Sequence, residues 1–574
     1  MRLMIKYLRP FFGIMLVGLT IKVTGTVIEL ALPYILSYIL ENVVEQQRVE
    51  KVLLWGGLMA LCALSACIFN IVANRMAARV ARDFSEIVRK NLFARTIRLS
   101  AKQTDAFTIA SLEARVTTDT YNVHQFVGMM QRMGVRAPIL LVGGIAITLI
   151  MDSYLALIMI AMLPLIFVTV FFISKKGIPL YTKVQQSVDG MVRVVREDVI
   201  GIRVIKALSK GEYEHVRYDK VNTALIKDET RASVTMGLAN PIMTMLMNFG
   251  IVGVVALAAS RVQDGRSDPE TVIAFMQYFT LISTAMMSVT RIFVMYTKSA
   301  ASARRIAEVI DSKEDFEVES EEKYPKIKTD AHIVFKNVSF SYNGVKNNIS
   351  DINLEIAKGG SLGIIGATGS GKSTLIKLLM RFYDVGEGGI YIDGRDIRTI
   401  PKEELYSMFG SAMQNDFLYA DSIEENIRFG RDISHEEIVK AAKTAQADLF
   451  ISEIAQGYDY QLAVKGSNLS GGQKQRLLIS RAVAGKPKIL ILDDSSSALD
   501  YKTDANLRRA LSRDMKGVTL ITVAQRVSSV KNCDRILVLS DGVPSGYGTH
   551  EELMRTCEEY REISESQMGG DFVE

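Results

Sequence analysis

Gly366-Ala-Thr-Gly-Ser-Gly-Lys-Ser-Thr374 stands between a short apolar run, Ser361 to Ile365, and a helical pattern from Leu375 to Phe382. Strand, glycine-rich loop and helix in that order make a phosphate-binding loop. Gly366, Gly369 and Gly371 let the backbone fold around phosphates and turn its N–H groups toward them. The following helix adds its positive N-terminal end. The pattern places Lys372 on the β- and γ-phosphates and the hydroxyl of Ser373 on Mg²⁺. Thr368, Ser370 and Thr374 belong to the same nucleotide-binding loop. A chain with this loop binds a nucleotide.

The rest of the chain says where the nucleotide is used. At 574 residues there is room for about two to four domains. The apolar content is concentrated before about residue 300. A formal net charge of +5 is too slight to indicate a nucleic-acid partner. Cys62, Cys67, Cys533 and Cys557 form no CxxC or metal-like spacing, so free thiols in a reducing compartment or in a membrane are expected. Met1 to Pro10 is basic, but the apolar segment after it runs too long, and lacks the small-residue site, for a cleavable signal peptide.

Six apolar segments lie near 11–40, 52–72, 134–151, 153–174, 240–260 and 271–296. Each reaches or approaches the ~20 residues that cross a bilayer as a helix. Lipid offers the backbone no hydrogen-bond partners, so helices are the expected form. Segments 1 and 2, 3 and 4, and 5 and 6 are joined by short loops: Glu41 to Lys51, little more than Asp152, and Gln263 to Glu270. The connections 73–133 and 175–239 are long, charged and helical in pattern. They read as membrane helices continuing about 25 residues, nearly 40 Å, beyond the bilayer before turning back. The short loops hold only Arg48, Lys51, Arg261 and Arg266 as basic residues. The extensions hold clusters such as Arg75, Arg79, Arg82, Arg89 and Lys90, and Lys175, Lys176, Arg193 and Arg196. The positive-inside rule makes the extensions cytoplasmic, and with them both termini. An acidic stretch then precedes a region of short β-branched runs alternating with helical ones. The expected organisation is multi-domain: an all-α six-helix transmembrane domain (1–310), a linker (311–330) and an α/β P-loop ATPase domain (331–574).

Leu469-Ser-Gly-Gly-Gln473-Lys-Gln-Arg476 is followed closely by Lys488-Ile-Leu-Ile-Leu-Asp493-Asp494. An apolar strand ending in an acid is the Mg²⁺ and water-positioning element of phosphate-loop ATPases. With LSGGQ between phosphate loop and acidic strand, the chain resembles the ATP-binding-cassette family, and the six-helix half resembles that family's exporters. The resemblance covers nearly the whole chain. It implies that Tyr342 stacks on adenine, that Gln414 links Mg²⁺ to the membrane domain, and that Asp493 supports Mg²⁺. It implies that Ser470, Gly471, Gly472 and Gln473 act on ATP bound to an opposite subunit, and that Asp500, ending Ser497-Ala-Leu-Asp500, lies at the dimer interface. Ala101 to Thr108 and Ser209 to Arg217 sit where the family places its coupling helices. ATP and Mg²⁺ are the implied cofactors, and a second half-transporter is the implied partner.

Two positions depart from that pattern. Asp494 stands where the family has the catalytic Glu, and Gln525, in Val523-Ala-Gln-Arg526, where it has the switch His. Asp is one methylene shorter than Glu, and misplacement by ~1 Å can cost ~100-fold in rate. Gln donates a hydrogen bond but cannot carry an imidazolium's charge. Val464 also replaces a Glu common before the signature. The resemblance therefore implies the degenerate-site subunit of a heterodimeric bacterial multidrug exporter, in the plasma membrane, moving small amphiphilic substrates. A lipid or peptide exporter shares every cassette residue. An ATP-gated channel or regulatory protein would need a hydrophilic pore, and the six segments show no regular polar stripe.

Charge inside the apolar segments marks a possible path. Lys22 and Glu29 lie seven residues apart on one face of the first segment, and Arg132 and Arg136 share a face near the inner end of the third. Such charges face a bundle interior or a watery cavity; a structural contact between helices is the other reading. Arg291 lies in segment 6, and Met243, Met245, Met247, Met286, Met287 and Met295 supply either adaptable surface or ordinary packing.

Overall fold

The computed structural model describes residues 2–264, 269–313, 316–414, 416–495 and 497–568. Arg266, expected in a short loop, lies outside the described residues. The chain forms two compact units, Met1–Ile97 with Thr108–Ser312, and Arg98–Phe107 with Lys313–Glu574.

In the first unit, among the described residues, six helical spans of 41 to 53 residues are long and apolar enough to cross a membrane. The helices are α1 (Phe12–Tyr38), α2 (Val49–Ile97), then, after a short α3 (Ala101–Phe107) that belongs to the second unit, α4 (Thr120–Met151) and α5 (Ser153–Ile200). They continue with α6 (Gly211–Gly237), α7 (Ala239–Gln263) and α8 (Pro269–Ile310). α2, at 49 residues, runs about 74 Å at helical rise, more than twice the ~30 Å hydrocarbon core.

Apolar surface cannot drive helix association in lipid, so small residues and internal polar bonds do it. A Cβ on Gly144 would stand 2.9 Å from Ile282, and one on Gly25 2.9 Å from Phe69. Glycine is what lets α4 meet α8 and α1 meet α2. The buried Tyr278 hydroxyl donates to the Leu30 carbonyl at 2.7 Å. Asp152, in the turn after α4, accepts from the N–H groups of Tyr154 and Leu155 at 2.9 and 3.2 Å and so caps α5. Its other oxygen takes a 3.1 Å bond from Arg261 near the end of α7. Just ahead of α4, Asp119 accepts from Ser302 and from Arg305 Nε of α8, each at 2.8 Å.

One expectation needs correction. α8 does carry a regular polar stripe: Gln277, Thr280, Thr284, Ser288, Arg291 and Lys298 recur at helical spacing, and all but the half-buried Ser288 are exposed. The apolar residues between them hide it from a hydropathy reading, and each threonine and serine hydroxyl is turned to the carbonyl four residues back. Ser209 to Arg217, where the resemblance places a coupling helix, spans a turn and the start of α6. A separate short helix covers Ile202–Ala207, Ser209 turns at φ +53°, and α6 begins at Gly211.

Among its described residues the second unit holds ten strands: β1 (Ala331–Phe340), β2 (Ile349–Ala357), β3 (Ser361–Gly366), β4 (Glu387–Ile392), β5 (Arg395–Asp396), β6 (Phe409–Ala412), β7 (Ile489–Asp493), β8 (Thr519–Val523), β9 (Arg535–Ser540) and β10 (Val543–Gly548). The larger sheet has the order β10-β9-β3-β8-β7-β6 and is parallel except for β10. β7 is buried at every residue, as a parallel strand covered on both faces must be. The smaller antiparallel sheet has the order β2-β1-β4-β5. Helices α9 (Lys372–Leu379), α10 (Gly471–Ala484), α11 (Tyr501–Asp514) and α12 (Glu558–Met568) complete the parts that shape the site.

From Lys313 on, the stretch expected as a linker belongs to this unit, apart from 314 and 315, which lie outside the described residues. Phe316 is buried beneath the Arg381 guanidinium, 5.4 Å from its ring centre, and Arg398 lies 3.8 Å over Tyr324. α3 is held here too. Ala101 packs on the apolar core, and Tyr383 donates its hydroxyl proton to the Asp105 carboxylate.

Candidate functional site

Parallel strands direct their C-terminal ends to one edge, where ligands of such sheets bind. β3 delivers the glycine loop there, β7 delivers Asp493 and Asp494, and β8 runs into Gln525. Asn348, Thr368, Gly369, Gly371, Lys372, Ser373, Thr374, Gln414, Asp493, Asp494 and Gln525 line one pocket at this edge. Residues more than 150 apart in sequence thus meet because β3, β8 and β7 are neighbours. Asn348 is an addition that no sequence motif pointed to.

The loop needs its glycines. Gly366, Gly369 and Gly371 have φ values of +154°, +86° and +96°, a region that side chains disfavour. A Cβ on Gly366 would reach 2.1 Å from the Leu539 carbonyl oxygen. Lys372 folds back and donates to the carbonyls of Gly366 and Ala367 at 2.8 and 2.7 Å. Its burial holds the ammonium below its ordinary pKa, opposed by the nearby Asp493 and Asp494 carboxylates. A charge strained in this way gains from an incoming triphosphate. The Ser370 hydroxyl is buried with no hydrogen-bond partner among the described residues.

Asp493 is buried at the end of β7. Burial pushes its carboxyl above the ordinary value, while a hydrogen bond from Ser373 opposes the rise. Ser373, Asp493 and Gln414 therefore bring a hydroxyl, a carboxylate and an amide oxygen to one wall, a hard oxygen set that suits Mg²⁺.

Asp494 adopts φ +51°, which costs most residues of order 1–3 kcal/mol and Asp less. One carboxylate oxygen takes long amide contacts from Gln414 Nε2 at 3.4 Å and Gln525 Nε2 at 3.3 Å. Burial raises this carboxyl too. Asp494 is thus a short side chain turned between two amides.

The remaining expected residues stand elsewhere. Tyr342 is half-exposed at the rim, its ring edge-on to Tyr383 and its hydroxyl 3.4 Å from Thr374 Oγ1. Ser470 caps α10. It accepts from the Gln473 N–H at 3.3 Å, and Gln473 reaches back to the Ser470 N–H at 2.9 Å. Gly471 and Gly472 follow, with exposed or half-exposed backbone at the positive end of α10, a ready anion site. Asp500 caps α11 by accepting from the Thr503 N–H at 2.9 Å. A Cβ on Gly472 would stand 3.1 Å from the Ala498 carbonyl oxygen, so this loop and the signature support one another. Within the chain, neither group joins the phosphate-loop pocket.

Sequence reading missed Gln567. From the end of α12 its amide donates to the Gln525 carbonyl and accepts from the Val527 N–H, both at 2.8 Å. The clasp brackets Arg526 and fixes the backbone that carries Gln525. A lone glutamine near a chain end carries no signal by itself.

Comparison with known proteins agrees with this geometry. A family model of the ABC transporter transmembrane region matches residues 15–286, and an ABC transporter model matches 349–497. The ABC transporter ATP-binding protein YfiB of Bacillus subtilis is 32% identical, with 98% of each chain covered. The protein Rv1273c of Mycobacterium tuberculosis is 30% identical over 98% of this chain and 97% of its own. A solved structure of a bacterial Atm1-family ABC exporter with ATP bound superposes with a TM-score of 0.82 at 25% identity, covering 98% of both chains. The chain therefore belongs to the ABC transporter family: it is a multi-pass exporter half-transporter with fused transmembrane and ATPase domains, a transport ATPase that uses ATP with Mg²⁺.

Proposed function

We propose that this chain is the hydrolysis-impaired half of a heterodimeric exporter for small amphiphilic compounds. The observation that carries the reading is Asp494 and Gln525 lining the pocket of an intact phosphate loop, in a chain whose LSGGQ signature is also intact. Lys372 and the loop N–H groups hold the phosphates, and Tyr342 offers its ring to the base. Ser373, Gln414 and Asp493 would hold Mg²⁺, which when bound neutralises phosphate charge. Asp494 falls short of the attacking water's position, and Gln525 donates to the γ-phosphate without positive charge. ATP is then bound here and hydrolysed poorly. Ser470, Gly471 and Gly472 serve the partner's site, where the partner supplies Glu and His. The extensions, both termini and the ATPase domain are cytoplasmic on this reading, and the membrane is the plasma membrane.

The test is to purify the chain alone, reconstitute it, and measure ATPase activity and transport. Little activity alone and recovery on adding the partner are expected. Fast hydrolysis and transport by the isolated chain would end the heterodimer reading.

The polar stripe on α8 gives weight to one further reading. A polar face on a membrane helix is not left to lipid, so it lines a watery path or a subunit contact. If the path conducts while ATP is bound, the protein is an ATP-gated channel. Single-channel recording distinguishes this, because a transporter gives no unitary currents.

Gln567 supplies a smaller prediction. Gln567→Ala removes two hydrogen bonds, and retained ATP at this site should leave roughly threefold to tenfold faster, measured as release of radiolabelled nucleotide. Gln567→Glu keeps the acceptor for Val527 but loses the donor to Gln525, and an intermediate rate is expected.

A further inference from the structure

Lys22 is almost fully buried among α1, α2 and α4, and donates to Asn70 Oδ1 at 2.7 Å and to Asn74 Oδ1 at 3.1 Å. Both partners are neutral, so its charge is solvated but not cancelled. Arg136, Arg132 and Glu29 all lie within electrostatic reach of it. Glu29 is already engaged by Arg136, whose Nε donates at 3.2 Å. Among the described residues Arg132 makes one bond, from Nε to the Gly128 carbonyl at 3.1 Å, which leaves the outer nitrogens of its fork for another acceptor. Three cations therefore face one carboxylate.

The stretches around them offer no other acid: 52–80 of α2 and 271–296 of α8 carry none. Glu29 is the only acidic residue from 11 to 40, α4 has none, and the apolar stretches 153–174 and 240–260 have none. A second copy packing those stretches here would bring no countercharge. Arg136 lies 15 residues before Met151, about 22 Å from the turn at Asp152, hence within the hydrocarbon layer. Uncompensated charge at such depth is costly and marks a functional group. The site is also open, because the Arg136 side chain is 39% exposed. Arg291 adds a further exposed cation. The ring contact of Phe126 with Tyr296 levels α4 with α8, and Arg132 and Arg291 each stand about 8 Å beyond it toward the Asp152 end.

We propose that Lys22, Arg132 and Arg136 form a binding site for the acidic head group of an amphiphile, a carboxylate or phosphate on an apolar tail. This rests on the exporter reading and narrows its substrate class to anions. The fork of Arg132 suits a two-oxygen head group, Lys22 supplies a point charge beneath it, and Glu29 holds Arg136 in place. A neutral or cationic compound leaves the excess charge unbalanced, so the same cluster selects against it.

Binding is measured without ATP, so the result is independent of whether turnover drives transport. The full-length transporter, in nanodiscs of phosphatidylcholine, is titrated with dansyl-aminoundecanoate and with its methyl ester. The carboxylate is expected to bind at least about tenfold more tightly, the worth of one charged hydrogen bond. Arg132→Gln should remove most of that preference and leave ester binding unchanged, while Arg132→Lys should restore part of it. Lys22→Gln, which can still meet Asn70 and Asn74, should act in the same direction. Competition by phosphatidylglycerol added to the disc assigns the site to a membrane lipid's head group; no competition assigns it to a free amphiphile. Equal binding of acid and ester, or a preference untouched by both Arg132→Gln and Lys22→Gln, overturns the proposal. ATP-driven movement of the ester alone would overturn the anion site yet leave the exporter reading standing.

Discussion

Gly471→Asp in the assembled transporter is expected to reduce ATP turnover by about 100-fold or more, whereas Asp494→Asn should leave most of it. The first change puts a carboxylate where the positive end of α10 faces a phosphate, and removal of one such stabilising contact typically costs about 100- to 1,000-fold. It should not unfold the chain. A Cβ at Gly471 meets only Ala498, at 3.8 Å, and an acid in the first turn stabilises a helix. Asp494, in contrast, stands in the pocket proposed to hydrolyse little, so neutralising it removes little. Steady-state ATPase rates of the two variants, compared at equal expression, decide the matter. Comparable losses would show that the two sites are catalytically equivalent.

The second large effect concerns the fate of the nucleotide. When the working transporter is arrested during turnover, ATP should persist at the Lys372 site while ADP forms at the partner's. Photo-crosslinking of labelled nucleotide to each chain reads this directly. Asp494→Glu with Gln525→His should then raise hydrolysis here, because reach and a titratable donor return. Recovery should be incomplete for a reason visible in the backbone. Position 494 holds φ +51°, which Asp tolerates through short local hydrogen bonds and Glu does less well. The γ-phosphate also needs a competent signature from the opposite chain. Equal ADP formation on both chains of the unmodified pair would sink the impaired-site proposal.

Much of the site was legible because its chemistry is local. A phosphate loop must be contiguous, since successive N–H groups wrap one ligand, and Gly366 to Thr374 can be read without any partner. The acid at the end of an apolar strand is legible for the same reason. Six membrane helices are legible because lipid imposes length and apolarity on each span separately. The stripe on α8 escaped because hydropathy averages over the very faces that distinguish path from packing. Gln567 escaped because its role lies wholly in which backbone its amide meets.

The sequence by itself determined the membrane and ATPase halves, the nucleotide and the two altered positions, because each depends on residue types within a short span. Only the tertiary structure decided that Asp494 is turned between Gln414 and Gln525, that Gln567 holds the loop behind it, and that Glu29 serves Arg136 rather than Lys22. Those are choices among partners far apart in the chain. Strand order and helix packing make them, and charge pattern along the sequence does not record which acid meets which cation.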